Sequence, residues 1–298
     1  GYFRPKNQFK NEFTKIGVLG SGLMGHGIAY VSAMADIEVV LIDTSKDNLD
    51  KGLKRIKNIL SFNVEKGLIE KELADDIFSK INPSQDYSQI KDCDLIIEAV
   101  FEERDLKAKV IKESEKHMKK SAIFASNTST ISINELNHFS SSPENFIGIH
   151  FFSPVDRMEL VEIIKTKKTS AKTLSCVFDF IRKINKTPII VNDSPGFYTT
   201  RVFEKYTCEG LALLYEGYPA HLIESTSKNV GFPIGPLAVL DEINIELALK
   251  IRKEIGSNLY SQKFENHIEP WDRVLDFMVN KAKSCLLYTS DAADELSC

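Results

Sequence analysis

No apolar run in the 298-residue sequence reaches the roughly 18–20 residues that a membrane-spanning helix needs, so a transmembrane helix is not expected. A basic excess is absent too. Lys and Arg total 38 against 42 Asp and Glu, and a formal charge of −4 lacks the electrostatic footprint of a nucleic-acid binder. Cysteine is scarce and poorly spaced. Cys93, Cys176, Cys208, Cys285 and Cys298 form no CxxC pair and have no histidine at ligand spacing, so a structural zinc site is not expected and a reducing compartment is the default. The N-terminus has no secretory pattern, because Arg4, Lys6 and Lys10 sit among polar residues. What is present argues for a folded protein. The 18 Phe and 9 Tyr are spread along a chain that is 43% apolar, enough for one large core or two ordinary ones.

Short β-branched runs alternate with helical patterns over about the first 190 residues, which implies βαβ units and a parallel sheet. Strands are expected at Lys15–Leu19, Glu38–Ile42, Leu95–Ile97, Ile123–Ala125, Phe146–His150, Leu160–Ile164 and Thr187–Val191. Between the second and third lies a charged segment, Lys46–Lys80. Its Leu49, Leu53, Ile56, Leu60 and Val64 recur at helical spacing and predict one long amphipathic helix, whose lysines read as a solvated face. Asn192-Asp193-Ser194-Pro195-Gly196 reads as a helix start, and helical pattern follows to Lys283, broken at Gly217, Gly231 and Gly235-Pro236. The expected organisation is a linker over 1–14 with more chain before it, and an α/β Rossmann-like domain over 15–191. A smaller all-α domain follows over 192–284. Residues 285–298 resemble a translated sequencing adapter, and the helical domain is expected to be truncated there.

The first strand runs into Gly20-Ser21-Gly22-Leu23-Met24-Gly25, which opens a helix. In that context Gly20 permits a tight turn, Gly22 lets the backbone approach a pyrophosphate, and Gly25 lets helix and strand pack closely. Asp43 ends the second strand, 23 residues after Gly20. A carboxylate there accepts hydrogen bonds from ribose hydroxyls and repels a 2′-phosphate, so NAD is favoured over NADP. Met24 reads equally as helix packing, and His26 as structural. His150 closes another strand, on the side where open α/β sheets bind ligands. Glu162 interrupts the apolar stripe Met158, Leu160 and Ile164 in the next strand. A carboxylate there needs a partner, and His150 is the candidate; a catalytic pair and a satisfied core pair are both open on these residues alone. The polar run Ser126–Thr130 faces the same crevice or forms a turn, with Ser132 as a helix cap. Glu98 and Glu102, with Lys107 behind them, either touch the cofactor or cap a helix.

Taken together these residues resemble the L-3-hydroxyacyl-CoA dehydrogenase family from Lys15 to Lys283. The matching motifs are Gly20–Gly25, Asp43, Ile97–Glu102, Ser126–Ser129, His150–Asp156, Leu160–Ile164, Asp193–Phe197 and Gly231–Pro236. The resemblance implies a His150–Glu162 catalytic dyad, with Ser129 positioning substrate beside the cofactor. It assigns NAD contacts to Gly20, Gly22, Met24, Gly25, Asp43, Glu102, Lys107, Ser129 and Ser153, and substrate contact to Thr200. Ser153 and Thr200 stand where single-function members carry Asn, which is similar to the multifunctional branch. That branch implies an upstream enoyl-CoA hydratase domain, a thiolase partner and a homodimer through the helical domain. The activity implied is oxidation of L-3-hydroxyacyl-CoA to 3-ketoacyl-CoA in fatty-acid β-oxidation. Richness in Lys, Asn and Ile and the absence of a targeting pattern favour a bacterial cytoplasm, with a mitochondrion or peroxisome as the alternatives. Rival expectations are a dehydrogenase of small free hydroxy acids and an NAD-binding homologue without turnover.

Overall fold

In the computed structural model, which describes residues 13–243 and 270–278, the chain divides into two compact units after Phe197. The first is built on an eight-stranded sheet of order β3-β2-β1-β4-β5-β6-β7-β8. The strands are β1 (Lys15–Leu19), β2 (Glu38–Ile42), β3 (Ile81–Ser84), β4 (Leu95–Glu98), β5 (Ile123–Ser126), β6 (Phe146–Phe151), β7 (Leu160–Lys165) and β8 (Thr187–Asn192). Strands β1 to β6 run parallel, as the alternation of strand and helix implies. β7 does not: it pairs antiparallel with β6, and β8 then runs parallel to β7. The expectation of a wholly parallel sheet is therefore corrected at its far edge. No helical pattern separates β6 from β7, so no crossover exists to make them parallel.

Helices cover both faces. On one lie α1 (Gly25–Met34), α2 (Lys46–Glu65), α3 (Lys71–Ser79) and α6 (Ala171–Lys183), packed over Ile16, Val39, Leu95, Ile149 and Val161. On the other, α4 (Arg104–His117) and α5 (Ile133–Asn137) cover Ile96, Phe124, Phe146 and Ile164. Burial on both faces explains why β7 reads as a nearly continuous apolar run, with Val161 and Ile163 on one side and Ile164 on the other. Each fully buried aliphatic side chain of this kind contributes about 1.5–3 kcal/mol.

The sequence reading departs from the structure in four further places. The helix expected over Lys46–Lys80 is two helices, because the chain turns at Gly67 with a left-handed backbone of φ 67°. Strand β3 was not expected, since Pro83 argues against a strand; β3 forms the edge of the sheet, where a missing N–H is tolerated. Phe13, assigned to the linker, is buried with its ring 5.9 Å from that of Phe180. Finally, β8 continues through Asn192, and the next helix starts only at Thr199, so Asn192–Gly196 is not a helix N-terminus. Residues 1–12 of the expected linker and the tail over 285–298 lie outside the described residues.

In the second unit α7 (Thr199–Tyr215), α8 (Ala220–Asn229), α9 (Pro236–Ile243) and α10 (Pro270–Asp276) enclose Leu211, Leu214, Ile223, Leu237, Leu240 and Leu275. The Glu224 carboxylate of α8 accepts the backbone N–H groups of Leu237 and Ala238 and so caps α9.

Candidate active site

The antiparallel turn of the sheet creates the central feature. His150 is near the end of β6 and Glu162 near the start of β7, and in the β6–β7 ladder they are directly opposed. Opposed residues on one face are near enough for their side chains to meet. His150 Nδ1 lies 2.8 Å from Glu162 Oε2, with Glu162 fully buried and His150 8% exposed. A carboxylate oxygen accepts, so this bond assigns the Nδ1 proton to the histidine and leaves Nε2 to meet a ligand. The imidazole is enclosed by aromatic rings, Phe152 at 4.5 Å and Phe197 at 5.9 Å between centroids. Phe197 itself has a left-handed φ of 47°, rare for a bulky residue, directly after Gly196 at φ 71°.

A second cluster sits at the ends of β4 and β5. Lys107 and Glu98 are both fully buried and form an ion pair at 2.7 Å. The same ammonium reaches Glu102 at 3.2 Å. Glu98 also accepts from Ser126 Oγ and the Val100 N–H, at 2.7 and 2.8 Å. Glu102 Oε1 accepts from Thr128 Oγ1 (2.5 Å), the N–H groups of Ser129 (2.8 Å) and Thr130 (2.9 Å), and Ser129 Oγ (3.2 Å). Burial pushes the Glu102 carboxyl up, but Lys107 and these hydrogen bonds outweigh it and hold it down at about 2. Neither glutamate caps α4, whose N-cap residue is Glu103. The two carboxylates instead grip the Ser126–Thr130 turn. That turn is tied to the dyad strand, because the Phe151 N–H donates to Asn127 Oδ1 at 2.9 Å.

The glycine-rich turn has the expected construction. Gly20 has φ 96°, and a Cβ there would stand 2.7 Å from the Ala99 carbonyl oxygen. A Cβ on Gly25 would fall 1.7 Å from the Gly20 oxygen, whereas one on Gly22 would meet nothing within 4 Å. So Gly20 and Gly25 are required for packing, and Gly22 keeps a bare backbone facing open space. No side chain caps α1, whose N-terminus offers an anion a partial positive charge, although the His26 N–H already donates to the Gly22 carbonyl at 3.3 Å and the Ile28 N–H to the Met24 carbonyl at 2.9 Å. Met24, at its N-cap, is half-buried against the core. His26 Nδ1 is 2.7 Å from the Gly22 oxygen, and the residue has no contact with the dyad in its bonding.

Asp43 is more engaged than a free ribose acceptor. Its Oδ2 takes the N–H and hydroxyl of Ser21 at 2.9 and 2.8 Å, and its Oδ1 takes the Ser45 N–H and the Asn48 amide at 3.1 and 3.4 Å. Burial pushes this carboxyl up, yet the bonds from Ser21, Ser45 and Asn48 prevail and keep it below the usual carboxylate range. The bare Gly22 backbone, the uncapped helix and a carboxylate at the end of β2 together fit a dinucleotide.

Comparison with known proteins agrees with this geometry. The family model described as "3-hydroxyacyl-CoA dehydrogenase, NAD binding domain" matches residues 15–194, and the one described as "3-hydroxyacyl-CoA dehydrogenase, C-terminal domain" matches 196–284. The chain belongs to the 3-hydroxyacyl-CoA dehydrogenase family. Among curated relatives, the fatty acid oxidation complex subunit alpha of Shewanella halifaxensis is 39% identical over 247 residues, covering 81% of this chain and 35% of that protein. The chain thus spans about a third of the length of the curated relatives it matches. Among solved structures, the (S)-3-hydroxybutyryl-CoA dehydrogenase PaaH1 of Ralstonia eutropha has a TM-score of 0.84 at 30% identity, covering 94% of this chain and 100% of that one. FadB2 of M. tuberculosis has a TM-score of 0.81 at 26% identity, covering 91% and 95%.

Within this dehydrogenase fold the expected site residues fall into three groups. His150 and Glu162 are joined directly, and Ser129, Glu102 and Lys107 form one bonded cluster. Gly20, Gly22, Met24, Gly25 and Asp43 make up the turn and its anchor. Ser153 is exposed in the connection between β6 and β7, and Thr200 is on α7 in the second unit. Sequence reasoning overlooked Asn127, although it sits inside a polar run already suspected. It also misread Asp193. That carboxylate binds Ser132 Oγ (2.8 Å) and the N–H groups of Ile133 (3.0 Å) and Asn134 (2.7 Å), so it caps α5, about 60 residues earlier in the chain.

Proposed function

We propose that the chain is the dehydrogenase portion of a fatty-acid β-oxidation enzyme, oxidising L-3-hydroxyacyl-CoA to 3-ketoacyl-CoA with NAD⁺. The buried His150–Glu162 pair on the sheet that carries the glycine-rich turn is the observation behind this reading. In the proposed reaction His150 Nε2 accepts the proton of the substrate 3-hydroxyl. Glu162 keeps the ring in the required tautomer and stabilises the imidazolium, assistance typically worth ~10²–10⁴-fold. NAD⁺, when bound, supplies the two-electron oxidant for the C3–H bond. Gly22 and the N-terminus of α1 would take its pyrophosphate. Asp43 would take the adenosine ribose, exchanging the long Asn48 bond for a ribose hydroxyl. Glu102, Lys107 and Ser153 would border the nicotinamide half, while Ser129 would orient the substrate.

The curated relatives are alpha subunits of a fatty acid oxidation complex, which supports working beside an enoyl-CoA hydratase domain and a thiolase partner in a bacterial cytoplasm. We extend the proposal to a homodimer through the helical domain. The described residues include no helix long and apolar enough to cross a membrane. The test is steady-state oxidation of NADH by acetoacetyl-CoA. Turnover with the thioester supports the reading. Turnover only with a free keto acid points to a small hydroxyacid dehydrogenase, and NADH binding without turnover points to an inactive homologue.

A further inference from the structure

The connection between the two dyad strands, Phe152–Glu159, has eight residues, since β6 ends at Phe151 and β7 starts at Leu160. Hairpin register is normally set by loops of about two to five residues, so a connection this long does not by itself hold His150 opposite Glu162. Something else must fix it. Lys186, just ahead of β8, is 9% exposed, and its Nζ donates to the carbonyls of Val155 at 2.6 Å and Met158 at 2.8 Å. The next residue continues the clamp, as the Thr187 N–H donates to the Glu159 carbonyl at 2.8 Å. The gripped segment has a second anchorage. Val155 is buried, and a Cβ on Gly27 would stand 2.7 Å from its Cβ, so Val155 is seated against the bare backbone of α1. Helix α1 begins at the glycine-rich turn. The segment therefore connects the dyad strands to the dinucleotide-binding helix, and it also carries Phe152, whose ring lies against His150.

We propose that Lys186 is a positioning residue for the dyad: by holding the Val155 and Met158 carbonyls it fixes the β6–β7 connection and the placement of His150 and Glu162 relative to α1. A buried ammonium suits this task, because charge-assisted bonds to carbonyls are stronger than neutral ones and three N–H groups can hold two acceptors in different directions. Burial lowers the Lys186 pKa, with Asp156 and Glu159 of the same connection opposing that shift. The proposal rests on the dehydrogenase reading above for its kinetic test and on geometry alone for its chemical one.

The variants are Lys186→Met, which keeps the length of the side chain without the ammonium, and Val155→Ala, which leaves the carbonyl but empties the seat on Gly27. In NADH oxidation by acetoacetyl-CoA, K186M is expected to lower kcat about 10- to 100-fold, the scale of a displaced catalytic group, with the KM for NADH within about threefold. The double variant is expected to lose clearly less than the product of the two single losses, since both act on one segment. A folded K186M with wild-type kcat, or fully multiplicative losses, overturns the proposal. A readout without turnover separates this from failure of the dehydrogenase reading. Carbethoxylation of His150 by diethyl pyrocarbonate, followed by peptide mass spectrometry with His117 as reference, is expected to accelerate in K186M and in V155A. If K186M does not fold, V155A carries the same test. An unchanged His150 rate in the folded variants overturns the proposal even if the wild type proves inactive on acyl-CoA.

Discussion

Replacing Glu162 by Gln preserves the size of the side chain and removes its charge from a fully buried position 2.8 Å from His150 Nδ1. At an effective dielectric of about 20, the Coulomb attraction between an imidazolium and a carboxylate at that separation is about 6 kcal/mol. Removing one partner of a buried ion pair costs about 3–5 kcal/mol in practice, because the other is left uncompensated. In the proposed reaction the pair is fully charged only once His150 has taken the substrate proton, so most of the loss falls on the transition state. At about 1.36 kcal/mol per decade this predicts a fall in kcat of roughly 10²- to 10⁴-fold. A second effect acts in the same direction: the Gln amide can donate to Nδ1, which moves the ring proton to Nε2 and blocks it as a base. The glycine-rich turn and Asp43 are untouched, so NADH affinity is expected to stay within a few-fold of wild type. The assay is NADH oxidation by acetoacetyl-CoA, with NADH binding followed by fluorescence. A folded E162Q enzyme whose kcat stays within about fivefold of wild type would refute the reasoning, because the carboxylate would then stabilise nothing that forms on the reaction path.

Two further predictions concern the cofactor side. Asp43→Ser is expected to weaken NADH binding by more than NADPH binding, since the carboxylate that would meet a ribose and repel a 2′-phosphate is gone; titrating both cofactors measures it, and an unchanged ratio contradicts the assignment. Both affinities should also fall, because Ser21 loses its two bonds to Asp43. Glu102 titrates at about 2 in the folded chain against an ordinary 4.5. Its ionised form therefore adds stability that is complete above about pH 4.5 and fades as the pH falls toward 2. Comparing the melting temperature of wild type with that of Glu102→Gln across this window should give a difference that narrows on acidification; a difference that widens would contradict the sign.

Local pattern was sufficient wherever neighbours in sequence settle the structure. The alternation of β-branched runs and helical segments was enough for the parallel core of the sheet, and the glycine-rich turn was legible because the left-handed backbone of Gly20 and the close approach of Gly25 to it are local, whereas the fit of Gly20 against Ala99 comes from the neighbouring strand. Asp193 was not legible in the same way. An acidic residue before Ser194-Pro195-Gly196 has the composition of a helix start, but its carboxylate caps α5, which the sheet brings alongside. Lys186 carries no motif at all, and its partners are carbonyls, which leave no trace in side-chain identity. The dyad shows the division most clearly. From the sequence alone, a histidine at a strand end and a glutamate in an apolar strand were determined, together with the need of that buried carboxylate for a partner. Only the tertiary structure decided that β7 turns back against β6. That reversal puts residue 162 opposite residue 150, because strand direction depends on the connection and on packing over both faces of the sheet, and not on the residues within either strand.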